Sequence, residues 1–369
     1  MGRYAKDTRT VLTLDAGGTN MVFGAMRGEE YIGEPLTLPS RADDLDLCLD
    51  TMVRGFRAAA ESAGSAPSAI SFAFPGPADY PNGIIGGYLP NFPSFRDGVA
   101  LGPFLAEKFG VPVFINNDGD LYAYGEALGG ALPEINRRLS ETGSAKQYRN
   151  LIGYTFGTGF GIGCVIDGKL NRGDNSCVET FCLPHSLKPG IIVEDGVAVR
   201  AVKRVYAERS GIDDPALTPK DIFDIAEGKR PGNGDAARAS FEEMGTVAGE
   251  AMALAAQLVD GLVVIGGGIT ASAKYILPSL LQAMRGTIRT LSGDTIGKLQ
   301  MKVYNLDDAA EFAAFARGEA REIRIHGTEK TVTYDPQKRI GVTISKIGAS
   351  KAISIGAYDF ALDQLDSTR

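Results

Sequence analysis

The chain has 369 residues, which is enough for two domains with substantial cores. Apolar residues make up 44% and charged residues 22%, an ordinary balance for a globular protein, and no apolar run approaches the length of a membrane span. The net charge of −7 argues against a broadly basic nucleic-acid surface. The first ten residues lack the apolar core of a signal peptide. We therefore expect a cytoplasmic protein that binds neither membrane nor nucleic acid.

The first section of the chain predicts a mixed sheet with helices on its faces, in the order β-β-β-α-β-α-β. A hairpin surrounds a glycine-rich turn, and the later elements follow at Tyr31–Leu38, Asp43–Ala63, Ala69–Phe74, Leu101–Phe109 and Val111–Ile115. Polar residues between Glu134 and Arg149 predict a mobile loop.

The second section repeats this theme. A hairpin around Gly157 is followed by predicted helices and one buried strand, at Val197–Arg209, Pro219–Ala226, Ala236–Asp260, Leu262–Ile265 (the strand) and Tyr275–Met284. Residues 321–335 predict an added hairpin, and an apolar helix over Ile353–Leu365 closes the chain. The repetition favours a duplicated domain.

Two glycine-rich turns carry the clearest chemical signal. Glycine allows positive φ and close backbone approach, so that successive N–H groups can converge on an anion. Turns without any ligand are the alternative, because permitting turns is the commonest role of glycine. Two such turns in comparable hairpins favour a polyphosphate held between two halves. The residues predicted to contact phosphate are Asp15, Gly17, Gly18, Thr19, Asn20, Gly157, Thr158, Gly159 and Gly161.

Two further features fit a nucleotide. Asp15 ends a predicted strand, where its carboxylate can hold Mg²⁺ directly or through water; a turn-stabilising role is the alternative. Gly266, Gly267 and Gly268 follow a buried strand and would let a flat base lie against the backbone. An ordinary strand-to-helix turn is a serious alternative when these three glycines are judged by themselves.

Cysteine and histidine are scarce, with four and two residues respectively. Four cysteines do not make a disulfide framework in a chain of this size. Cys177, Cys182 and His185 lie close together, but a zinc site there would need a fourth ligand and lacks a paired C-x-x-C. We expect free thiols and no zinc, with carboxylates as the acid–base groups.

The joint order of these motifs resembles that of the ROK family of sugar kinases, within the actin-like (ribonuclease H-like) ATPase fold. The resembling segments are residues 15–20 and 157–163 (phosphate motifs), 264–269 (adenosine motif), 74–77, 90–93, 116–120 and 125–126 (sugar side) and 355–357 (final helix). The resemblance implies an α/β protein of two ribonuclease H-like domains with an interdomain cleft. We place one domain at residues 1–118, completed by a helix at 352–369, and the other at 119–351.

The resemblance also implies the roles of individual residues. Asp118 is identified as the catalytic base that takes a proton from a sugar hydroxyl, while a helix cap is its alternative role, with Asp120 a rival for the cap position. The implied sugar-binding residues are Asn91, Asn117, Asp118, Glu179, His185 and Glu194. Surface exposure without a ligand is the alternative for the two glutamates.

One segment departs from the family pattern. Cys182 stands where many ROK kinases have a sugar-binding histidine, and residues 183–193 replace their cysteine-rich zinc loop. Glu194 matches the glutamate that ends that loop, and His185 is our candidate for the missing histidine. This departure leaves the sugar open.

The resemblance implies an ATP- and Mg²⁺-dependent kinase that phosphorylates the 6-hydroxyl of a glucose-like hexose or an N-acetylhexosamine, acting as a homodimer. A sugar-responsive transcriptional regulator is the first alternative; against it, the first strand begins almost at residue 1, and we expect no DNA-binding module. A catalytically degenerate sugar-binding protein is the second.

Overall fold

The computed structural model of the protein describes residues 2–367. The chain forms two compact units. Within the described residues, the first unit contains 2–133, 163–178 and 347–367, and the second contains 134–162 and 179–346. None of the helices in the described part of the chain is long and apolar enough to cross a bilayer.

The strands of the described residues are numbered in chain order. They are β1 (Val11–Ala16), β2 (Asn20–Arg27), β3 (Glu30–Pro39), β4 (Ala69–Ala73), β5 (Ala78–Asp79), β6 (Ile84–Ile85), β7 (Val113–Asn116), β8 (Leu151–Phe156), β9 (Phe160–Ile166), β10 (Lys169–Leu170), β11 (Leu262–Gly266), β12 (Thr287–Arg289), β13 (Thr295–Gly297), β14 (Lys302–Asn305), β15 (Arg321–Arg324), β16 (Thr331–Tyr334) and β17 (Arg339–Ile344).

The α-helices are numbered in the same way. They are α1 (Leu45–Ala63), α2 (Leu101–Phe109), α3 (Asp118–Leu128), α4 (Ala131–Glu141), α5 (Val199–Ser210), α6 (Pro219–Ala226), α7 (Gly234–Val259), α8 (Ala273–Met284), α9 (Ala309–Arg317) and α10 (Ala349–Ser367). Short 3₁₀ turns occupy Tyr80–Asn82, Pro93–Phe95, Val193–Gly196 and Gly268–Ser272.

The first unit is built on a five-stranded sheet in the order β3-β2-β1-β4-β7. β1, β2 and β3 are antiparallel neighbours, whereas β4 runs parallel to both β1 and β7. Three antiparallel strands followed by parallel strands that are reached through helices form the ribonuclease H-like arrangement. The predicted order of elements and the mixed α/β class are therefore confirmed.

One face of this sheet packs against α1 through aromatic side chains. Asp44 caps α1 by accepting the N–H of Leu47, and Phe56 on its buried face meets Phe23 of β2 with ring centroids 5.2 Å apart. Both rings are fully buried, which stabilises the fold by about 1.5–3 kcal/mol for each side chain. The same core continues through Phe74 to Phe92, whose centroids are 4.6 Å apart. This aromatic core fixes the loops that follow β4.

The other face of the sheet carries α10, which packs closely against α3. A Cβ on Gly125 or on Gly356 would lie under 3.0 Å from a carbonyl oxygen of the facing helix. The two backbones touch at this crossing, and only glycine permits that approach. α3, which begins at Asp118, is therefore held rigidly.

The second unit contains a sheet in which β8, β11, β17 and β14 are parallel neighbours. β8 and β9 form a hairpin at its side, and β9 carries the chain into the first unit at Gly163. β15 and β16 pair only with each other, as the predicted hairpin of residues 321–335.

The sequence analysis was wrong about residues 134–141, which continue helix α4 rather than forming a mobile loop. Leu132, Ile135 and Leu139 are buried along one face of α4, and this spacing outweighs its polar composition. β14, α9 and β17 were not predicted. The predicted border at 118/119 falls at the start of α3, whereas the first compact unit extends to residue 133 and includes 163–178.

Candidate active site

The first glycine turn, Gly17–Thr19, joins β1 to β2. It is closed by the N–H of Gly17, which donates to the carbonyl oxygen of Asn20 over 3.0 Å. Ser40 holds the outside of the turn, since its N–H donates to the Thr19 carbonyl and its hydroxyl to that of Gly18. The N–H groups of Gly18 and Thr19 have no partner within residues 2–367. They are the donors that this turn offers to an anion.

A cavity of about 620 Å³ opens beside this turn, entirely within the first unit. Its wall includes five of the predicted site residues, namely Asp15, Gly17, Gly18, Asn91 and Asp118. Thr19, Asn20 and Asn117 lie next to these residues in the chain but outside the wall. The fold thus brings the first glycine turn, Asn91 and the candidate base into one pocket of small-ligand size.

Asn91 reaches the turn because its neighbour is anchored in the aromatic core. Phe92 is fully buried against Phe74 and Phe95. A Cβ on Gly18 would lie 2.9 Å from the Cβ of Asn91, so glycine is required for this approach. Asn91 is itself exposed to the pocket.

Asp118 is the first residue of α3, and Asn117 is its N-cap. The Asn117 side chain accepts the N–H of Gly119 over 2.7 Å, and Asp118 Oδ1 accepts the same N–H over 2.9 Å. The cap role therefore belongs to Asn117, not to Asp120. Desolvation raises the pKa of the Asp118 carboxyl, and the nearby charge of Asp15 raises it further. The Asp118 side chain is nevertheless exposed to the pocket, so a ligand in the pocket can reach this carboxylate of raised pKa.

A second acidic residue, Asp120, lies in the same first turn of α3 as Asp118 and is 7% exposed. Burial raises its pKa to about 7, against the opposing attraction of the Arg172 guanidinium. Arg172 is held by the side-chain oxygen of buried Asn116, which accepts its Nη1 over 2.9 Å. Asp120 is therefore half-ionised near neutral pH.

This titration predicts a stability effect for Asp120→Asn. The pKa of Asp120 is higher in the folded protein than in the unfolded chain, so ionisation of this carboxyl lowers the free energy of unfolding. The loss begins as the pH rises above the pKa in the unfolded chain, near 4. It is complete above the pKa in the folded protein, about 7. From pH 6 to pH 8 we expect the wild type to lose about 1–2 kcal/mol more unfolding free energy than the variant. Urea denaturation of both proteins across this range measures the difference. Parallel pH dependences would contradict the assignment.

The second glycine turn, Gly157–Gly159, joins β8 to β9 in the second unit. The N–H of Gly157 donates to the Gly159 carbonyl over 3.1 Å. The N–H groups of Thr158 and Gly159 have no partner in the described part of the chain. Both turns therefore close on their first glycine and leave two neighbouring N–H donors. Gly161 lies within β9, beyond the turn.

Glu194 lies against this second turn. Its Oε2 accepts the N–H of Phe160 over 2.9 Å, and its Oε1 accepts Nη2 of Arg200 over 2.8 Å. A Cβ on Gly159 would lie 2.9 Å from Oε2. Both oxygens of the predicted sugar-binding carboxylate are thus engaged in this structure.

Gly266–Gly268 leave β11 beside the end of β8, where Gly266 is paired with Thr155. Gly267 has a φ of +96°, and a Cβ on it would strike the backbone of Phe156. Space is open around Gly268. Because β8 and β11 are parallel, the three glycines and the Gly157 turn lie at the same edge of the sheet, the usual position of ligands in α/β sheets.

His185 and Glu179 lie in the segment that departs from the family pattern. His185 is 4% exposed and packs against Gly196. Its Nδ1 accepts the N–H of Leu187, while Nε2 has no partner within residues 2–367. The ring therefore supports the segment that carries Glu194 rather than offering a face to solvent. Glu179 is half-buried.

Cys177 and Cys182 are exposed free thiols. Among residues 2–367, no group of three or more histidine, cysteine, aspartate or glutamate side chains is arranged to hold a metal ion. Mg²⁺ bound mainly by phosphates and water needs only one or two carboxylates, and Asp15 in the pocket wall fits that requirement.

Three residues at these sites were missed by sequence reasoning: Ser40, Arg172 and Arg200. Ser40 carries no sequence signal, because its hydrogen bonds depend on how β3 ends beside the first turn. Arg200 follows Glu194 by six residues, and only the 3₁₀ turn at Val193–Gly196 brings the two side chains together.

Comparison with known proteins connects this geometry with one family. The model of the ROK family matches residues 11–181. The crystal structure of a glucokinase from Parabacteroides distasonis ATCC 8503 is 59% identical, covers 98% of this chain and 99% of its own, and superposes with a TM-score of 0.91. The chain belongs to the ROK family.

A more distant ROK protein shares the fold, and a curated relative matches part of the sequence. A ROK glucokinase from Streptomyces griseus, solved with glucose and AMPPNP, is 19% identical, covers 96% of this chain and 99% of its own, and has a TM-score of 0.61. A xylose repressor from Bacillus spizizenii is 38% identical over 104 residues, which are 28% of this chain and 23% of the repressor. The chain spans 60% and 23% of the lengths of the first two curated relatives it matches. The actin-like ATPase fold expected for a ROK protein is confirmed.

Proposed function

We propose that this ROK protein is an ATP-dependent sugar kinase that transfers the γ-phosphoryl group of ATP to the 6-hydroxyl of a glucose-like hexose or an N-acetylhexosamine. The observation that carries the proposal is the pocket in which Asp15, the Gly17 turn, Asn91 and Asp118 meet. The 59% identity to the Parabacteroides glucokinase supports it. We propose further that the enzyme is cytoplasmic and acts as a homodimer.

Asp118 is the catalytic base in this proposal. A sugar hydroxyl is a poor nucleophile until its proton is removed. Asp118 takes that proton while the hydroxyl oxygen bonds to the γ-phosphorus and the bond from that phosphorus to the leaving oxygen of ADP breaks; the proton then passes to solvent. A raised carboxyl pKa improves a base of this kind, because a carboxylate of higher pKa binds the abstracted proton more strongly.

Each of the two glycine turns is assigned to nucleotide phosphate. Phosphoryl transfer requires mainly positioning and charge stabilisation of a loosely bonded phosphoryl group. The unpaired N–H groups of Gly18 and Thr19, and those of Thr158 and Gly159, are fixed donors that need no reorganisation during the reaction. Gly266–Gly268 offer open backbone to the base, supported by the free space around Gly268.

Mg²⁺ would be held near Asp15, directly or through water, where it would neutralise phosphate charge. Asp15 lines the pocket and makes no ion pair with any residue from 2 to 367. Asp15 is therefore the proposed carboxylate ligand of Mg²⁺.

The residues proposed to bind the sugar are Asn91, Asn117, Asp118, Glu179, His185 and Glu194. The Asn117 side-chain oxygen caps α3, which leaves its NH₂ group as the donor to a hydroxyl. His185 is buried, so among the proposed sugar-binding residues its side chain would have to move most to contact a sugar.

A coupled assay of ADP formation against a panel of sugars tests the proposal. The panel holds glucose, mannose, fructose, N-acetylglucosamine and N-acetylmannosamine with ATP and Mg²⁺, and we expect phosphorylation of at least one at the 6-position. Excess EDTA should reduce the rate by at least about 100-fold, because phosphate charge is then not neutralised. Added Mg²⁺ should restore it.

Two outcomes would contradict the kinase assignment. Sugar binding without ADP formation would favour a catalytically degenerate sugar-binding protein. Sugar binding together with a shift of promoter DNA in a gel would favour a regulator, the class to which the xylose repressor belongs. Isothermal titration of each sugar, followed by the gel-shift assay, separates these outcomes.

A further inference from the structure

The second glycine turn has a carboxylate beside its anion-binding groups. Glu194 Oε2 accepts the N–H of Phe160, the residue that directly follows the free N–H groups of Thr158 and Gly159. A phosphate bound by those two donors would therefore lie next to the Glu194 carboxylate. Two anions so placed repel each other, most strongly where protein excludes water.

Arg200 is the cation in contact with that carboxylate. It is the second residue of α5, and its Nη2 donates to Glu194 Oε1 over 2.8 Å while its Nε donates to Asp195 Oδ1 over 2.6 Å. With Arg200, the three side chains carry a net charge of −1; without it, they would carry −2. The planar guanidinium reaches both carboxylates at once, which the point charge of lysine does less well.

The start of α5 is tied to the turn as well. The N–H of Val199 donates to the Gly157 carbonyl over 2.9 Å, and Arg200 Nη1 lies 3.5 Å from the Thr158 carbonyl oxygen. The turn is therefore bonded to Val199 through Gly157 and to Glu194 through Phe160. Arg200 links the start of α5 to the Glu194 carboxylate. Its replacement should therefore make the Glu194 side chain more mobile without unfolding the second unit.

We propose that Arg200 is a positioning residue, which holds Glu194 against the Gly157–Gly159 turn and neutralises its charge beside the nucleotide phosphates. This inference rests on the proposed function, because it takes the turn to bind ATP. Exposed ion pairs contribute little to folding stability. The contribution of Arg200 should appear in nucleotide affinity instead.

Arg200→Met tests the proposal, with Arg204→Met as its matched control. Arg204 lies one turn further along α5 and pairs with Glu208 and Glu243; near Glu194 it reaches only the backbone carbonyl of Asp195, over 3.5 Å, and neither carboxylate that Arg200 binds. Equilibrium binding of a fluorescent ATP analogue with Mg²⁺ should weaken by about 10–50-fold in Arg200→Met and less than about 2-fold in Arg204→Met. Arg200→Lys retains the charge and should recover to within about 5-fold of wild type.

A second pair of variants shows whether Arg200 acts through Glu194. In the Glu194→Gln background the carboxylate that contacts the turn is uncharged and only Asp195 remains ionised beside Arg200, so adding Arg200→Met should cost less than about 3-fold in nucleotide affinity. Raising the ionic strength should shrink the Arg200→Met defect, because salt screens the repulsion between carboxylate and phosphate. In the kinase assay the KM for ATP should rise more than kcat falls.

Three results would overturn the inference. Arg200→Met could bind the analogue as wild type does, its defect could persist undiminished in the Glu194→Gln background, or its urea denaturation midpoint could fall in parallel with affinity. The second result would make Arg200 a direct phosphate contact, and the third a merely structural residue. If the wild type binds the analogue but phosphorylates no sugar, the kinase assignment is wrong. The nucleotide-binding experiment still tests the role of Arg200 in that case. A wild type that binds no nucleotide defeats both proposals.

Discussion

Asp118→Asn is expected to lower kcat for sugar phosphorylation by about 10²–10⁴-fold, the usual contribution of a general base. The substitution keeps the size of the side chain and an oxygen that can accept the Gly119 N–H, so α3 should begin unchanged. Sugar affinity, measured by titration without nucleotide, should change by less than about 3-fold. A fall in rate at nearly constant affinity indicates an interaction made only in the transition state.

The pH profile gives a second readout of the same variant. Because the pKa of Asp118 is raised, the wild-type rate should begin to fall at a higher pH than for an ordinary carboxylate as the solution is acidified. The residual rate of Asp118→Asn should lack that fall. Asp97→Asn, at an exposed carboxylate outside the pocket, is the control and should behave as wild type. An Asp118→Asn enzyme that keeps most of its activity would end the assignment of the base.

Gly267→Ala is expected to be the most damaging of the substitutions at the three glycine-rich turns. Its φ of +96° is unfavourable for alanine, and the new Cβ would lie under 3.0 Å from backbone atoms of Phe156 in β8. Since a paired central strand cannot move away, we expect a loss of about 3–5 kcal/mol in unfolding free energy. That is a large part of the stability of an ordinary domain.

Gly268→Ala is the matched control one residue later. No atom lies within 4 Å of its added Cβ, so its unfolding free energy should stay within about 1 kcal/mol of wild type. Urea denaturation without ligand compares the two variants. If Gly268→Ala retains stability but loses affinity for ATP, the open space there is where the base lies. Equal stability of both variants would contradict the close approach of Gly267 to β8.

The sequence alone was sufficient for features set by local patterns. Runs rich in β-branched and aromatic residues predicted the hairpins, glycine runs predicted the turns, and apolar residues at helical spacing predicted α1, because each pattern lies within one short segment. The glycine turns themselves indicated phosphate binding, and the family resemblance supplied the roles of Asp118 and Asn91; all of these remain predictions for this chain. The same local reasoning overlooked α4, whose three buried residues are separated by charged ones.

The tertiary structure decided what depends on distant segments. β17 inserts between β11 and β14, a pairing that no local pattern encodes. The pKa values of Asp118 and Asp120 depend on surrounding protein, and burial is the sum of contacts from several elements. Glu194 illustrates the same limit, because the sequence identified the carboxylate but not its bonds to Phe160 and Arg200. Chain neighbours fix turns and periodicity, whereas charge, desolvation and strand order are fixed only when remote parts of the chain meet.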